Sequence, residues 1–187
     1  GTALAECKQH LDAARTQAFG IEYDEERAWH AKGLLDRCIH ADLQHCVMSK
    51  RSFGLLFLNP AYGDLVADKA QTGFAQEGRK RLEKLFYQLT MSALQIGGVL
   101  VLIIPVYSLD KELAHWISHN FDKVEVFSAP EQRFKQIVLF GIRTLSENIS
   151  NIKAVKSRLI NIGSGEIPAS DFASFTSGRD KAMPCLY

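Results

Sequence analysis

Two uninterrupted apolar segments of strand length constrain the fold more than any other feature of this sequence. One is FGLLFL at 53–58 and the other is VLVLIIP at 99–105. A strand that carries apolar side chains on both sides of its pleat is covered on both faces, as in parallel sheets flanked by helices. The two segments therefore predict interior strands of an α/β fold.

Stretches with helical periodicity alternate with strand-length segments as far as residue 143. Helices are predicted at 2–14, 25–37, 79–94 and 109–121, and strands at 17–23, 38–43, 53–58, 99–105, 123–127 and 136–143. Asp24 is placed to accept hydrogen bonds from the first-turn amides of the second helix. The connection at 128–135 is too short for a parallel crossover, which predicts an antiparallel pair. We expect a doubly wound, mostly parallel sheet with a terminal antiparallel strand pair.

Composition argues against a strongly basic nucleic-acid-binding protein and against a membrane protein. The 187 residues carry 22 Lys and Arg against 21 Asp and Glu, so a net charge of +1 provides no global attraction for a polyanion. Four cysteines without a C-x-x-C pair predict reduced thiols and a cytoplasmic location. The longest apolar run, 99–106, is far shorter than the ~20 residues that a membrane-spanning helix needs. No membrane partner is expected.

The sequence changes character after Leu145. It becomes rich in Ser, Asn and Gly, it contains the basic residues Lys153, Lys156 and Arg158, and no periodicity is evident. The predicted organisation is therefore one domain at 1–145 and a C-terminal extension of unknown role at 146–187.

Polar side chains follow three of the predicted strands, at the ends where open α/β sheets bind ligands. Glu22 follows the first of these strands, and an acidic group there can accept both hydroxyls of a ribose. Asp42 follows the second, where its carboxylate could accept from an adenine amino group while Leu43 covers the ring. The third is followed by NPAY at 59–62, which combines an amide, a rigid turn and an aromatic ring.

The spacing of these groups leads to a family. Gly1 precedes Glu22 by 21 residues, Glu22 precedes Asp42 by 20, and Asp42 precedes Asn59 by 17; an acid about 20 residues after a Gly-rich turn is typical of dinucleotide-type folds. Residues 1–143 resemble class I S-adenosylmethionine-dependent methyltransferases with an (Asn/Asp)-Pro-Pro-(Tyr/Phe) motif, which have a Rossmann-like fold. FGLLFLNPAYGD, RLEKLF, GGVLVLIIP and FKQIVLFGIR are similar to the uncharacterised bacterial family DUF6094, often associated with mobile elements.

The resemblance implies two sets of site residues. S-adenosyl-L-methionine would be bound by the tail of a glycine-rich loop, a ribose acceptor and an adenine pocket, here Gly1, Thr2, Glu22, Tyr23, Asp42 and Leu43. The catalytic motif would be Asn59, Pro60 and Tyr62. Two acceptors, the Asn59 amide and the Pro60 carbonyl, would turn the target amine toward tetrahedral geometry, and Tyr62 would stack on the planar group. No metal is implied.

The resemblance implies an N-methyltransferase with N6 of adenine in DNA or RNA as its first target. Ala61 stands where the second proline of the motif is usual, and we expect the first strand and most of the glycine loop to be missing before Gly1. A protein glutamine amide is an alternative target, and a non-catalytic methyltransferase-like scaffold is an alternative function. A specificity partner or a missing recognition domain is also expected.

Several polar residues have an alternative interpretation. Glu22 could merely cap or solvate a helix start, and Asp42 could merely form a turn. His115 and His119 share a helix face and could bind a metal or be solvated. Zinc ligation is a further alternative for His40, His45 and Cys46, and the basic residues Arg79, Lys80, Arg81 and Lys84 could contact phosphates or begin a solvated helix.

Overall fold

A computed structural model describes residues 1–60, 82–129, 135–145, 149–168 and 173–174 of the chain. Tyr62, the predicted loop at 63–78 and the basic residues at 79–81 lie outside the described residues. The chain divides into two compact units, Gly1–Met48 and Ser49–Tyr187. No helix among the described residues is long and apolar enough to cross a membrane.

The first unit is a two-stranded parallel sheet with helices. Its elements are α1 (Thr2–His10), β1 (Phe19–Glu22), α2 (Glu25–Lys32), β2 (Arg37–His40) and a 3-10 turn at Leu43–His45. The strands pair so that Glu22 lies opposite His40. A small core holds the elements together, made of Ala18, Ala31, Leu35 and Cys38 with Leu4 and Ala5 packed against them.

Two acidic side chains organise this first unit. Asp24 caps α2 by accepting a hydrogen bond from the Arg27 amide at 2.9 Å, which confirms the predicted helix start. Asp36 accepts from the Lys8 ammonium and from the Ala18 amide, each at 2.7 Å. These contacts fasten α1 to the residue that precedes β1, so the end of α1 and the start of the sheet are held together.

The second unit is a five-stranded mixed sheet covered by helices. Its elements are β3 (Phe53–Leu58), α3 (Leu82–Thr90), β4 (Leu94–Pro105), α4 (Lys111–Asn120), β5 (Phe121–Ser128), β6 (Gln136–Arg143), α5 (Ile149–Ser164) and β7 (Ala173–Ser174). The strand order is β3-β4-β6-β5-β7. β3 runs parallel to β4, whereas β6 runs antiparallel to both β4 and β5.

The main core lies between this sheet and the helices. Leu100, Leu102 and Ile104 of β4 are almost fully buried, together with Leu113 and Ile117 of α4. Because β3 and β4 are parallel and β6 runs the other way, the end of β3, the end of β4 and the start of β6 share one edge of the sheet. This carboxyl edge is where the NPAY motif begins.

The structure corrects the predicted sheet in two respects. The described residues form two sheets, not one mostly parallel sheet, and the second is mixed. The predicted antiparallel pair is confirmed as β5 and β6, with β6 inserted between β4 and β5. Its central residues Ile137, Val138 and Leu139 are buried on both faces, which explains the continuous apolar pattern.

Most element boundaries also differ from the prediction by a few residues; for example, α1 ends at His10 instead of 14 and α2 ends at Lys32 instead of 37. β4 begins at Leu94 instead of 99, because Gly97 with φ of 79° and Gly98 lie within the strand rather than ending a helix. Within the segment beyond Leu145, where no periodicity was expected, Ile149–Ser164 form the 16-residue helix α5. Its buried residues Leu159 and Ile162 pack into the main core. The predicted domain boundary at 145 stays a prediction.

Candidate functional site

Glu22 ends β1 with its carboxylate held by the following turn. Its Oε1 accepts hydrogen bonds from the amides of Tyr23 at 2.9 Å and Asp24 at 3.0 Å, and the Arg27 guanidinium lies 3.4 Å away. Each hydrogen bond found for this carboxylate among the described residues uses Oε1. The side chain is partly exposed, so Oε2 is the oxygen available to an external donor.

Asp42 repeats this arrangement after β2. Its Oδ1 accepts from the Gln44 amide at 2.9 Å and caps the 3-10 turn. The Cys46 thiol donates to the Asp42 carbonyl at 3.4 Å, which closes the turn, and the Leu43 side chain is buried. Asp42 therefore does form a turn, but through one carboxylate oxygen, and Oδ2 takes no part in it.

Parallel pairing brings the two acids to one edge of the first sheet. Glu22 lies opposite His40, and Asp42 follows His40 by two residues, so both carboxylates stand at the carboxyl ends of adjacent strands. Tyr23 lies between them in the chain and is 62% exposed. Four predicted cofactor residues, Glu22, Tyr23, Asp42 and Leu43, thus share this edge.

The predicted tail of the glycine loop lies elsewhere in the same unit. A Cβ built on Gly1 would come within 3.0 Å of Ala31, near the last turn of α2, whereas Glu22 faces the first turn of that helix. Thr2 begins α1 and is exposed. Among residues 1–60, no hydrogen bond or ion pair joins Gly1 or Thr2 to Glu22 or Asp42.

The catalytic motif begins at the carboxyl edge of the second unit. Asn59 follows β3 directly and is exposed, and Pro60 is buried. Ala61 and Tyr62 lie outside the described residues. At the same edge a cavity of about 490 Å³ opens between the end of β4, the start of β6 and the end of α5. Its lining includes Val106, Lys135, Ile137, Ile162 and Pro168.

His40 is a residue of the first site that sequence reasoning considered only as a zinc ligand. Its Nε2 lies 3.0 Å from the Tyr23 carbonyl oxygen. A carbonyl can only accept, so Nε2 carries the hydrogen and donates it. The described residues contain no cluster of three His, Cys, Asp or Glu side chains that could hold a metal. The parallel register, which places His40 opposite Glu22, is the signal that could have indicated its position.

The histidine pair on α4 contains its own hydrogen bond. His119 Nδ1 lies 2.8 Å from the His115 carbonyl oxygen and donates to it, and the two rings are 4.0 Å apart. The pKa of His115 is lowered by desolvation and by the nearby positive groups of His119 and Lys156. One nitrogen of His119 is therefore occupied, and the described residues place no third ligand beside the pair.

Lys84 forms ion pairs with two carboxylates. Its ammonium contacts Asp110 at 2.5 Å and Glu112 at 2.6 Å, and only 13% of the side chain is exposed. Burial lowers the pKa of Lys84, but the two carboxylates outweigh it and the net shift is upward. Among the four basic residues predicted to contact phosphates or to begin a solvated helix, Lys84 is paired within the protein, and the interpretation of Arg79, Lys80 and Arg81 stays a prediction because they lie outside the described residues. Lys84 ties α3 to the start of α4.

Comparison with solved structures defines the fold class. The chain is similar to a candidate class I S-adenosylmethionine-dependent methyltransferase of Listeria monocytogenes, with a TM-score of 0.60 and 14% sequence identity. The match covers 87% of this chain and 60% of that protein, so the chain spans 60% of its relative's length. The likeness establishes a mixed α/β fold of the class I methyltransferase type.

The family follows from the sequence itself. The profile of the uncharacterised methyltransferase family DUF6094 matches residues 1–159, so the chain belongs to that family. This confirms the family that the motifs around 53–64 and 97–105 indicated. No curated protein has significant sequence similarity to the chain.

Proposed function

We propose that the chain is an S-adenosylmethionine-dependent N-methyltransferase that acts on a planar amino group, with N6 of adenine in DNA or RNA as the first candidate. One observation carries the proposal. Glu22 and Asp42 stand at the carboxyl ends of adjacent parallel strands, and each is tied to the backbone through one oxygen only. This geometry leaves two acceptors for one ligand.

The two acceptors fit the donors of an adenosine moiety. A ribose presents two hydroxyl donors, which suit Oε2 of Glu22, and an adenine presents an amino group, which suits Oδ2 of Asp42. The exposed Tyr23 ring provides an apolar surface beside them. Buried Leu43 can contribute only part of its side chain to the pocket. S-adenosyl-L-methionine, when bound, supplies an activated methyl group.

The proposed binding of the methyl-accepting substrate rests on the motif that follows β3. The Asn59 amide oxygen and the Pro60 carbonyl would accept hydrogen bonds from the target amine, which makes its conjugated lone pair available. Tyr62 would stack on the planar group, with a contribution of about 1–3 kcal/mol. The proton can leave after transfer, so no strong base is required. The cavity beside β4 would receive a further part of the methyl-accepting substrate. Its volume is within the usual range of small-ligand sites.

Calorimetry with S-adenosylhomocysteine tests the cofactor side. We expect the chain to bind this product, and Glu22→Ala to weaken binding at least tenfold, because a charge-assisted hydrogen bond contributes about 1.5–3 kcal/mol. Glu26→Ala, which removes an exposed carboxylate from α2, the helix that follows Glu22, is the matched control. Absence of binding by the wild-type chain at millimolar ligand would contradict the proposal and favour a non-catalytic scaffold.

Substitution in the motif separates catalysis from cofactor binding. For Asn59→Ala we expect methyl transfer to be lost while the affinity for S-adenosylhomocysteine is nearly unchanged, because Asn59 contacts only the acceptor in this proposal. Tyr62→Ala should behave in the same way. The reverse pattern, weaker cofactor binding with normal turnover, would show that the roles are misassigned.

A glutamine side-chain amide in a protein is the second candidate target. It also offers a planar amino group, and two observations favour it over a polyanion: the net charge is only +1, and Lys84 is neutralised by two carboxylates. Transfer of tritium from labelled S-adenosylmethionine to separated DNA, RNA and protein fractions distinguishes the targets. A nucleic-acid target would require a recognition domain or a specificity partner.

A further inference from the structure

The peptide group between Tyr23 and Asp24 is held at both of its ends. Its N–H, which belongs to Asp24, donates to Glu22 Oε1 at 3.0 Å. Its C=O, which belongs to Tyr23, accepts from His40 Nε2 at 3.0 Å. A planar peptide moves as one unit, so the two contacts are mechanically linked.

We propose that His40 is a positioning residue for Glu22: it fixes the Tyr23–Asp24 peptide, and that peptide fixes the carboxylate so that Oε2 points to the ligand. The register supports this assignment, since Glu22 and His40 are partners across β1 and β2. The imidazole therefore joins the two strand ends at the point where the proposed ligand binds. The expected effect on ligand affinity rests on the proposed function, whereas the effect on the peptide does not.

The Tyr23 amide and the Arg27 guanidinium also contact Oε1 of Glu22, and the His40 contact adds a restraint on the peptide that supplies the second amide. Other hydrogen bonds of the turn act at different atoms. Asp24 fixes the other side of the turn through the Arg27 amide, and the Ala41 amide donates to the Glu22 carbonyl at 3.0 Å. Neither bond restrains the Tyr23 carbonyl. Without His40 the peptide loses this restraint on its carbonyl side and can rotate more freely relative to Oε1 of Glu22.

Substitutions at His40 can separate the donor from the ring. His40→Phe keeps a planar ring and removes the donor, whereas His40→Gln places an amide nitrogen near the position of Nε2 and keeps it. His30→Phe, at an exposed histidine of α2, is the matched control. Because His40 and His30 are both exposed and lie outside the small core of the first unit, we expect the three variants to leave that core intact.

Amide hydrogen exchange measured by NMR on the full chain gives a readout that needs no ligand. We expect the Asp24 amide to exchange about three- to tenfold faster in His40→Phe, as the loss of one hydrogen bond implies. His40→Gln should restore slow exchange, and His30→Phe should leave it unchanged. The Ala41 amide, which follows β2 and donates to the Glu22 carbonyl, should exchange at the same rate in every variant and so reports that the two strand ends remain paired.

Calorimetry with S-adenosylhomocysteine gives the second readout. We expect about three- to tenfold weaker binding by His40→Phe and near wild-type binding by His40→Gln. Equal weakening by both variants would overturn the positioning role, and so would an unchanged Asp24 exchange rate in His40→Phe. If the wild-type chain does not bind but the Asp24 amide still responds, the proposed function fails while the assignment of His40 to the peptide stands.

Discussion

At the scale of single residues, the contacts of Asp36 make the stability of the first unit depend on pH. The Ala18 amide and then the Lys8 ammonium lower the pKa of Asp36 below its ordinary value of 3.8. A carboxylate with a lowered folded-state pKa stabilises the fold above its unfolded pKa, and this contribution is lost as pH falls through the folded value. The ion pair itself is exposed and contributes little.

We expect Asp36→Asn to be less stable than wild type at pH 7, with the difference narrowing below about pH 4. Urea unfolding at pH 7 and pH 3 measures both values. Lys8→Met is the partner variant: it removes the cation but keeps the Ala18 amide, so it should reduce the pH dependence without abolishing it. A difference between Asp36→Asn and wild type that stays constant with pH would show that the carboxylate does not act through its charge.

At the scale of elements, the packing of α5 depends on one glycine. A Cβ at Gly163 would lie 1.9 Å from the carbonyl oxygen of Leu109, so no larger residue fits without moving the helix. This contact seats α5 against the turn after β4. The helix also lines the cavity at the carboxyl edge, so its position bears on the proposed acceptor site.

We expect Gly163→Ala to lower the free energy of unfolding by about 1–3 kcal/mol, because overpacking outweighs the better helix propensity of alanine. Gly33→Ala is the control. Gly33 has φ of −80° and its nearest atom would be 3.5 Å from a new Cβ, so that change should be neutral or stabilising by up to about 1 kcal/mol. Denaturant unfolding measures both. A Gly163→Ala protein as stable as wild type would contradict the seating of α5.

The elements also show what the sequence can predict. β3 and β6 have the predicted bounds, because their apolar runs end at polar or turn-forming residues. α5 was missed although Val155, Leu159 and Ile162 are spaced by four and three, because its many Ser and Asn residues obscure that pattern. The positions of Glu22 and Asp42 after strands were predictable, but the oxygen that each commits to the backbone depends on turn geometry, which no residue pattern specifies.

At the scale of the whole molecule, the two units differ in the size of their cores. The second unit buries a continuous cluster of large aliphatic side chains, whereas four small or medium residues, Ala18, Ala31, Leu35 and Cys38, form the core of the first. Regions with few buried apolar contacts open at lower free energy. The unit that carries the proposed cofactor residues is therefore expected to be the less stable of the two.

Ligand binding should reduce the difference in stability between the two units. In the free chain we expect the amides of β1 and β2 to exchange faster than those of β4 and β6. With S-adenosylhomocysteine at one hundred times its Kd, exchange in β1 and β2 should slow, because a ligand that binds only the folded state stabilises it by about 2.7 kcal/mol. β4 and β6 should change less, since their opening already requires disruption of the main core. Protection confined to β4 and β6 would instead place the ligand in the second unit and contradict the roles proposed for Glu22 and Asp42.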